Sequence, residues 1–146
     1  MASRWTGSWL GGPRAAGIDL GYPGERLGLP ASGRGSVAGF GRRLAAYAVD
    51  SVLSNLVALA VFGQRTAWGI FVVFAVEVFV LTALGGATAG MQATRLRIAR
   101  LDGRPPGWIA AAVRTVLLLL LVPALIWDRD RRGLHDRAAG TVVVRV

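Results

Sequence analysis

The fold is decided by residues 41–64, which read GRRLAAYAVDSVLSNLVALAVFGQ. Between Arg43 and Arg65 lie 21 residues whose only charge is Asp50, close to the roughly 20 residues that a helix needs to cross a bilayer. One face of such a helix would be polar, because side chains at steps of three and four share a face. That face carries Arg43, Tyr47, Asp50, Ser51, Ser54 and Asn55. The pattern predicts a membrane helix whose polar face points into protein or water.

A second apolar stretch follows a short turn and runs from Ala67 to Gly86, with Glu77 as its only charge. Two antiparallel spans would place Asp50 and Glu77 at similar depth in the bilayer. Ionisable residues inside membrane helices are costly and often belong to an ion or proton pathway. They can equally be packing groups that hydrogen-bond to Ser, Thr, Asn or Arg, so both interpretations of the two carboxylates stay open.

The third apolar segment, Trp108 to Trp127, is predicted to be re-entrant or interfacial. Arg114 interrupts it and leaves only 13 uncharged residues after it, and Pro123 would break or kink a helix. Hydropathy alone would make this segment a full third span, which is the alternative.

The arginines favour the re-entrant interpretation. Fifteen of the 17 lie in three segments, namely residues 1–43, 87–108 and 128–146. If the third apolar segment returns to its side of entry, all fifteen are cytoplasmic, as the positive-inside rule expects. Both termini would then be cytoplasmic, in a multi-pass protein of the cell (inner) membrane.

Two short segments, 94–101 and 141–146, have the alternating or β-branched residues of strands. A lone strand would leave its backbone groups unpaired, so we expect these two to pair on the cytoplasmic side.

Gly86 and Gly90 either allow a second backbone to approach closely or mark a helix end. Residues 1–38, rich in Gly, Pro, Ser and Arg, are predicted to be a flexible cytoplasmic tail, and residues 39–146 a mostly α membrane domain.

The composition of the chain argues against two classes of function, nucleic-acid binding and catalysis. The chain has 146 residues, is 53% hydrophobic and carries a formal charge of +9, with arginine as its only strongly basic residue. These arginines flank apolar stretches and do not form a basic face with interleaved aromatics, which argues against nucleic-acid binding. The single histidine, His135, has no activated serine or cysteine with it, so we expect no enzymatic activity. No pattern of metal ligands or cofactor-binding motif is evident, and because residues 1–41 contain no apolar run of seven, we expect no signal peptide there.

Several motifs occur together at a distinctive spacing. They are Arg43 and Asp50 in the first helix, residues 86–90, the segment 96–98, Arg114 with Thr115, and Asp136. In this combination the chain resembles the RDD family of small bacterial membrane proteins, named for one arginine and two aspartates. The resemblance covers residues 39–146. Ala89 and Met91 stand where the family usually has proline and lysine.

The resemblance implies a membrane protein of a family whose general function is unknown, for which transport has been proposed and sodium/proton antiport linked to some members. For this chain it implies an ion or proton pathway at Asp50 and Glu77, with Ser54 and Asn55 beside them. Two long helices cannot enclose a pathway alone, so a transporter would be an oligomer. The alternative is a non-transporting adaptor or scaffold that binds a partner membrane protein.

We also predict a cluster of charged side chains, called the charge cluster below. Arg43, Asp50 and Asp136 are predicted to meet at the cytoplasmic end of the helices, with Arg114 as a further counter-charge. One guanidinium has five donors in a planar fork, so it can serve two carboxylates at once.

Overall fold

A computed structural model describes residues 21–63, 66–120, 126–128 and 130–146. After a short 3-10 turn at Glu25–Leu27, the elements are α1 (Phe40–Phe62), α2 (Ala67–Gly85), α3 (Ala89–Ala93), β1 (Leu96–Arg100), α4 (Gly107–Leu119), α5 (Leu134–Ala138) and β2 (Thr141–Arg145). The predicted fold class is confirmed, because the structure is mostly helical, with two helices that can span a membrane, a third shorter apolar helix and a small antiparallel sheet. Residues 1–20 of the predicted tail lie outside the described residues.

The two long helices have the length and the surface of membrane spans. α1 has 23 residues and α2 has 19, which correspond to about 34 and 28 Å. Their most apolar windows have mean hydropathies of 1.7 and 2.3, yet only 22% and 28% of those windows is buried within the chain. The core helix of a soluble protein would bury far more of its apolar surface. These helices therefore present their apolar faces outward, as a lipid-facing helix does.

Glycine ends each long helix. Gly63 follows α1 with φ 68° and Gly86 follows α2 with φ 67°, and both amides bond back to a carbonyl in the last turn. Glycine adopts this left-handed backbone without steric cost.

The predicted strand pair is present with slightly shorter bounds. β1 and β2 are antiparallel, with Leu96 opposite Arg145 and Arg100 opposite Thr141. Since β1 follows α2 closely, the sheet lies at the end of the helix pair where α2 terminates.

Residues 35–38 lie along the other edge of β2. The Ala38 amide donates to the Val143 carbonyl at 2.9 Å, and the Arg145 amide donates to the Ser36 carbonyl at 2.9 Å. Because Ser36, Val37 and Ala38 are buried, the last residues of the predicted tail belong to the packed structure. This contact also fixes β2 beside the start of α1.

One cluster of buried hydrophobic side chains lies between the sheet and the start of α1. It consists of Ala38, Ala46, Leu96, Ile98 and Val143, with Met91 packed against it. Gly90 makes this packing tight, since a Cβ atom there would overlap the carbonyl oxygen of Ala46. Gly90 thus allows a close backbone approach, whereas Gly86 both ends α2 and lies close to the backbone of Ile98, where a Cβ atom would be 2.9 Å from the carbonyl oxygen.

The third apolar segment forms α4, whose 13 residues are about 20 Å long and pack on α2. The chain then leads through α5 to β2, which pairs with β1 and with residues 35–38. The segment therefore starts and ends at the same end of the helix pair. Residues 121–125, which include the predicted kink at Pro123, lie outside the described residues.

Candidate functional site

One face of α1 forms a buried stripe that contains two polar residues. It consists of Ala46, Asp50, Ser54 and Ala58, at steps of four. The predicted polar face is therefore divided, because Asp50 and Ser54 are buried, Ser51 and Asn55 are half-buried, and Tyr47 is exposed.

Asp50 bonds to α3 and to the residue before it. The Thr88 hydroxyl donates to Oδ2 of Asp50 at 2.5 Å, and the Gly90 amide donates to Oδ1 at 2.5 Å. Thr88 is the residue that caps α3, and its Oγ1 also accepts a hydrogen bond from the Met91 amide at 3.2 Å. Asp50 thus ties the middle of α1 to the start of α3.

Of the four residues of the predicted charge cluster, Arg43, Arg114 and Asp136 form ion pairs with one another, and Asp50 is bonded to Thr88 and Gly90 instead. Among the described residues Asp50 forms no ion pair. The physical reason is that Thr88 and Gly90 supply two donors at its carboxylate, while Arg43 is engaged elsewhere.

Glu77 faces Ser54 across the two long helices. The Ser54 hydroxyl donates to Oε2 of Glu77 at 2.6 Å, and Ser54 lies one helical turn beyond Asp50. Within the described part of the chain no cation pairs with Glu77. The Asn55 amide instead donates to the Ser51 carbonyl of its own helix, at 3.0 Å.

A cluster of three charged side chains lies at the start of α1 and consists of Arg43, Arg114 and Asp136. The Asp136 carboxylate is fully buried, and Nη1 of Arg43 donates to its Oδ2 at 2.6 Å. Nη1 of Arg114 donates to Oδ1 of the same carboxylate. The Gly133 amide adds a third donor, at 3.3 Å from Oδ2. One carboxylate therefore links α1, α4 and α5.

Further contacts hold the two guanidinium groups of this cluster. Arg43 lies over the ring of Trp127, 4.9 Å from its centroid, a cation–π geometry. Its Nε also donates to the Ala38 carbonyl at 3.3 Å. Nη1 of Arg114 donates to the Thr141 hydroxyl at 2.9 Å. Burial lowers the pKa of Arg114 to about 9, and the charge of Arg43 acts in the same direction, so Arg114 stays protonated at neutral pH.

A cavity of about 180 Å³ separates Asp50 from the charge cluster, and both Arg43 and Arg114 line it together with Asp50. Nη2 of Arg43 and Oγ1 of Thr82 are buried beside this cavity and have no hydrogen-bond partner among the described residues. A volume of this size has room for several water molecules, which would satisfy them.

Four residues of this site were not predicted to belong to it, namely Thr82, Thr88, Trp127 and Thr141. Thr88 carried a usable signal, because a threonine just after a glycine-terminated helix is a common capping residue for the next helix. The other three gave no local signal, since their contacts depend on how distant segments pack.

Comparison with known protein families gives a match to most of the chain. A family model described as "RDD family" matches residues 37–140, a range that contains Arg43, Asp50, Arg114 and Asp136. No curated protein and no solved structure matches the chain.

Proposed function

Since the chain belongs to the RDD family and is a membrane protein, we propose that it moves protons or small cations across the bilayer. The observation that carries this proposal is the 2.6 Å hydrogen bond between Ser54 and Glu77. It joins two helices that can each span a membrane, and no cation among the described residues pairs with the carboxylate. A carboxylate held at depth by a neutral hydroxyl can accept a proton or a cation.

The two carboxylates have different roles in this proposal. Asp50 accepts two hydrogen bonds from the start of α3 and lines the cavity beside Arg43 and Arg114. It therefore fixes the packing of α3 against α1 and supplies a carboxylate to this cavity. Among the described residues Glu77 has a single hydrogen-bond donor, and its side chain is half-buried, which leaves the carboxylate open to exchange.

The proposal extends to assembly and location. Because two long helices cannot enclose a pathway, the transporting form would be a homo-oligomer with Ser54, Asn55 and Glu77 near a shared interface. It would lie in the cell (inner) membrane with both termini cytoplasmic, and it would have no enzymatic activity and bind no nucleic acid.

Flux in liposomes tests this function. Purified native chain should dissipate an imposed proton or sodium gradient, and Glu77→Gln should reduce the flux to that of protein-free liposomes. Glutamine keeps an oxygen that accepts from Ser54, so the packing of the helices is retained. Asp102→Asn is the matched control, because Asp102 is a surface residue whose ion pair with Arg100 spans 3.5 Å. Unchanged flux in Glu77→Gln would reject the assigned role of this carboxylate.

A second candidate is an adaptor that holds a partner membrane protein without transport. It is favoured by the fact that both carboxylates already have donors from the same chain, as packing groups require. Native chain that dissipates neither gradient would support the adaptor and exclude the transporter.

A further inference from the structure

A second, larger cavity opens at the end of the helix pair where α1 begins and α2 ends. Its volume is about 770 Å³, which is in the range of small-molecule sites. Of the described residues, five arginines line it, and no aspartate or glutamate does. They are Arg34, Arg42, Arg95, Arg97 and Arg145. Arg95, Arg97 and Arg145 lie in the strands or directly beside them. Arg34 precedes α1, and Arg42 lies in its first turn.

These five charges have no anionic side chain paired with them in the part of the chain that the structure describes. Arg42 has one weak contact, from its Nη1 to the Thr94 carbonyl at 3.4 Å. Like charges around one cavity repel one another and focus a positive potential inside it. An anion in the cavity would remove this repulsion.

The backbone at Arg95 is a second, independent observation. Its φ is 55°, a left-handed conformation that is unfavourable for a residue with a Cβ atom and natural for glycine after a helix. The fold therefore places an arginine side chain at the cavity wall at a position where glycine would be less strained.

A role in membrane orientation does not account for this arrangement. The positive-inside rule needs arginines near the helix ends, but it does not require that they surround one cavity. We infer that this cavity binds a phosphate-bearing anion through its guanidinium groups, which match phosphate oxygens in paired, charge-assisted hydrogen bonds. The cavity lies at a helix end, where phospholipid headgroups and soluble phosphates can both reach it. The inference uses none of the residues of the transport proposal.

Binding in detergent tests the inference and distinguishes the two sources. Native chain is titrated at fixed ionic strength with short-chain phosphatidylglycerol in one arm and with inorganic pyrophosphate in the other, and heat of binding is measured. Arg97→Gln and Arg95→Gly should each weaken binding by about tenfold, the loss expected for one charge-assisted hydrogen bond. Arg95→Gly also relieves the left-handed backbone, so its unfolding temperature without ligand should be unchanged or higher.

Arg131→Gly is the matched control. Arg131 has the same backbone conformation, with φ 54°, but does not line this cavity. The Arg131→Gly variant should bind both probes as the native chain does. Saturable binding of the lipid alone supports a headgroup site, and binding of pyrophosphate supports a site open to soluble phosphates. If neither probe binds, or if Arg95→Gly and Arg97→Gln bind like the native chain, the inference is wrong.

Discussion

Arg43 and Asp136 are 93 positions apart in the chain, yet Nη1 of Arg43 lies 2.6 Å from Oδ2 of Asp136. The same carboxylate accepts a hydrogen bond from Arg114 and is fully buried. Such a buried anion is stable only while its cationic partners remain, and the partners depend on it equally. The cluster is therefore the feature that holds α4 and α5 against the start of α1.

Asp136→Asn should lower the free energy of unfolding by about 3–5 kcal/mol, because it leaves two buried guanidinium groups without their anion. Asp102→Asn makes the same chemical change at a surface ion pair and should cost less than about 1 kcal/mol. Thermal and denaturant unfolding in detergent measure both. Equal losses in the two variants would contradict the structural role of Asp136.

Arg43 and Asp136 should be energetically coupled, unlike Arg43 and Asp50. The double variant Arg43→Ala with Asp136→Asn should lose at least about 1 kcal/mol less than the two single losses added together. Arg43→Ala combined with Asp50→Asn should be closer to additive, since these two residues form no direct contact. Arg42→Ala, at the adjacent exposed position, is the control for arginine removal. Strict additivity for the first pair would exclude the coupling.

Thr88→Val should destabilise the fold by about 1–3 kcal/mol, because the buried carboxylate of Asp50 would lose the hydroxyl that donates to it. Valine preserves the shape of threonine but not its hydrogen bond, and the Met91 amide would lose its acceptor too. Thr88→Ser keeps the hydroxyl and should be clearly milder. The unfolding temperatures of the two variants are compared, and a loss in Thr88→Val no larger than that in Thr88→Ser, which keeps the hydroxyl and lacks the methyl group, would contradict the role of this hydrogen bond.

Gly90→Ala should be among the most harmful small substitutions, because its Cβ would overlap the backbone of Ala46, which cannot move as a side chain can. A loss of about 1–3 kcal/mol or more is expected for such overpacking. Gly41→Ala is the counterpart, since no atom lies within 4 Å of a Cβ there and alanine favours a helix. It should be neutral or stabilising in the same unfolding assay.

Chemical labelling should show where the chain enters and leaves the membrane. The chain has no cysteine, so single cysteines can be introduced without a background. Ser32→Cys and Ala138→Cys should react with a membrane-impermeant thiol reagent from the same side of a sealed vesicle, and Ala67→Cys from the opposite side. All three positions are exposed. Reaction of Ala138→Cys from the side that labels Ala67→Cys would mean that the segment containing α4 crosses the bilayer.

The helices and the strand pair were predictable because their signals are local. An apolar run of membrane length marks α1, and two isolated strand-like segments such as 94–101 and 141–146 have few pairing choices. The partners of Asp50 were not predictable, because Thr88 and Gly90 reach it only through the close packing that Gly90 allows. The pairing of residues 35–38 with β2 also escaped prediction, since a sequence rich in glycine and serine has no alternating pattern.

The position of Asp136 in the chain has a consequence for synthesis. α1 is made before Asp136, and at about 5–20 residues per second the interval over 93 residues is about 5–20 s. During this time the helix pair can enter the bilayer while the guanidinium of Arg43 still lacks its anion. Until α5 emerges from the ribosome, water or a lipid phosphate must therefore solvate the charge of Arg43. A chain whose synthesis stalls in this interval leaves an unfinished helix pair exposed to proteolysis.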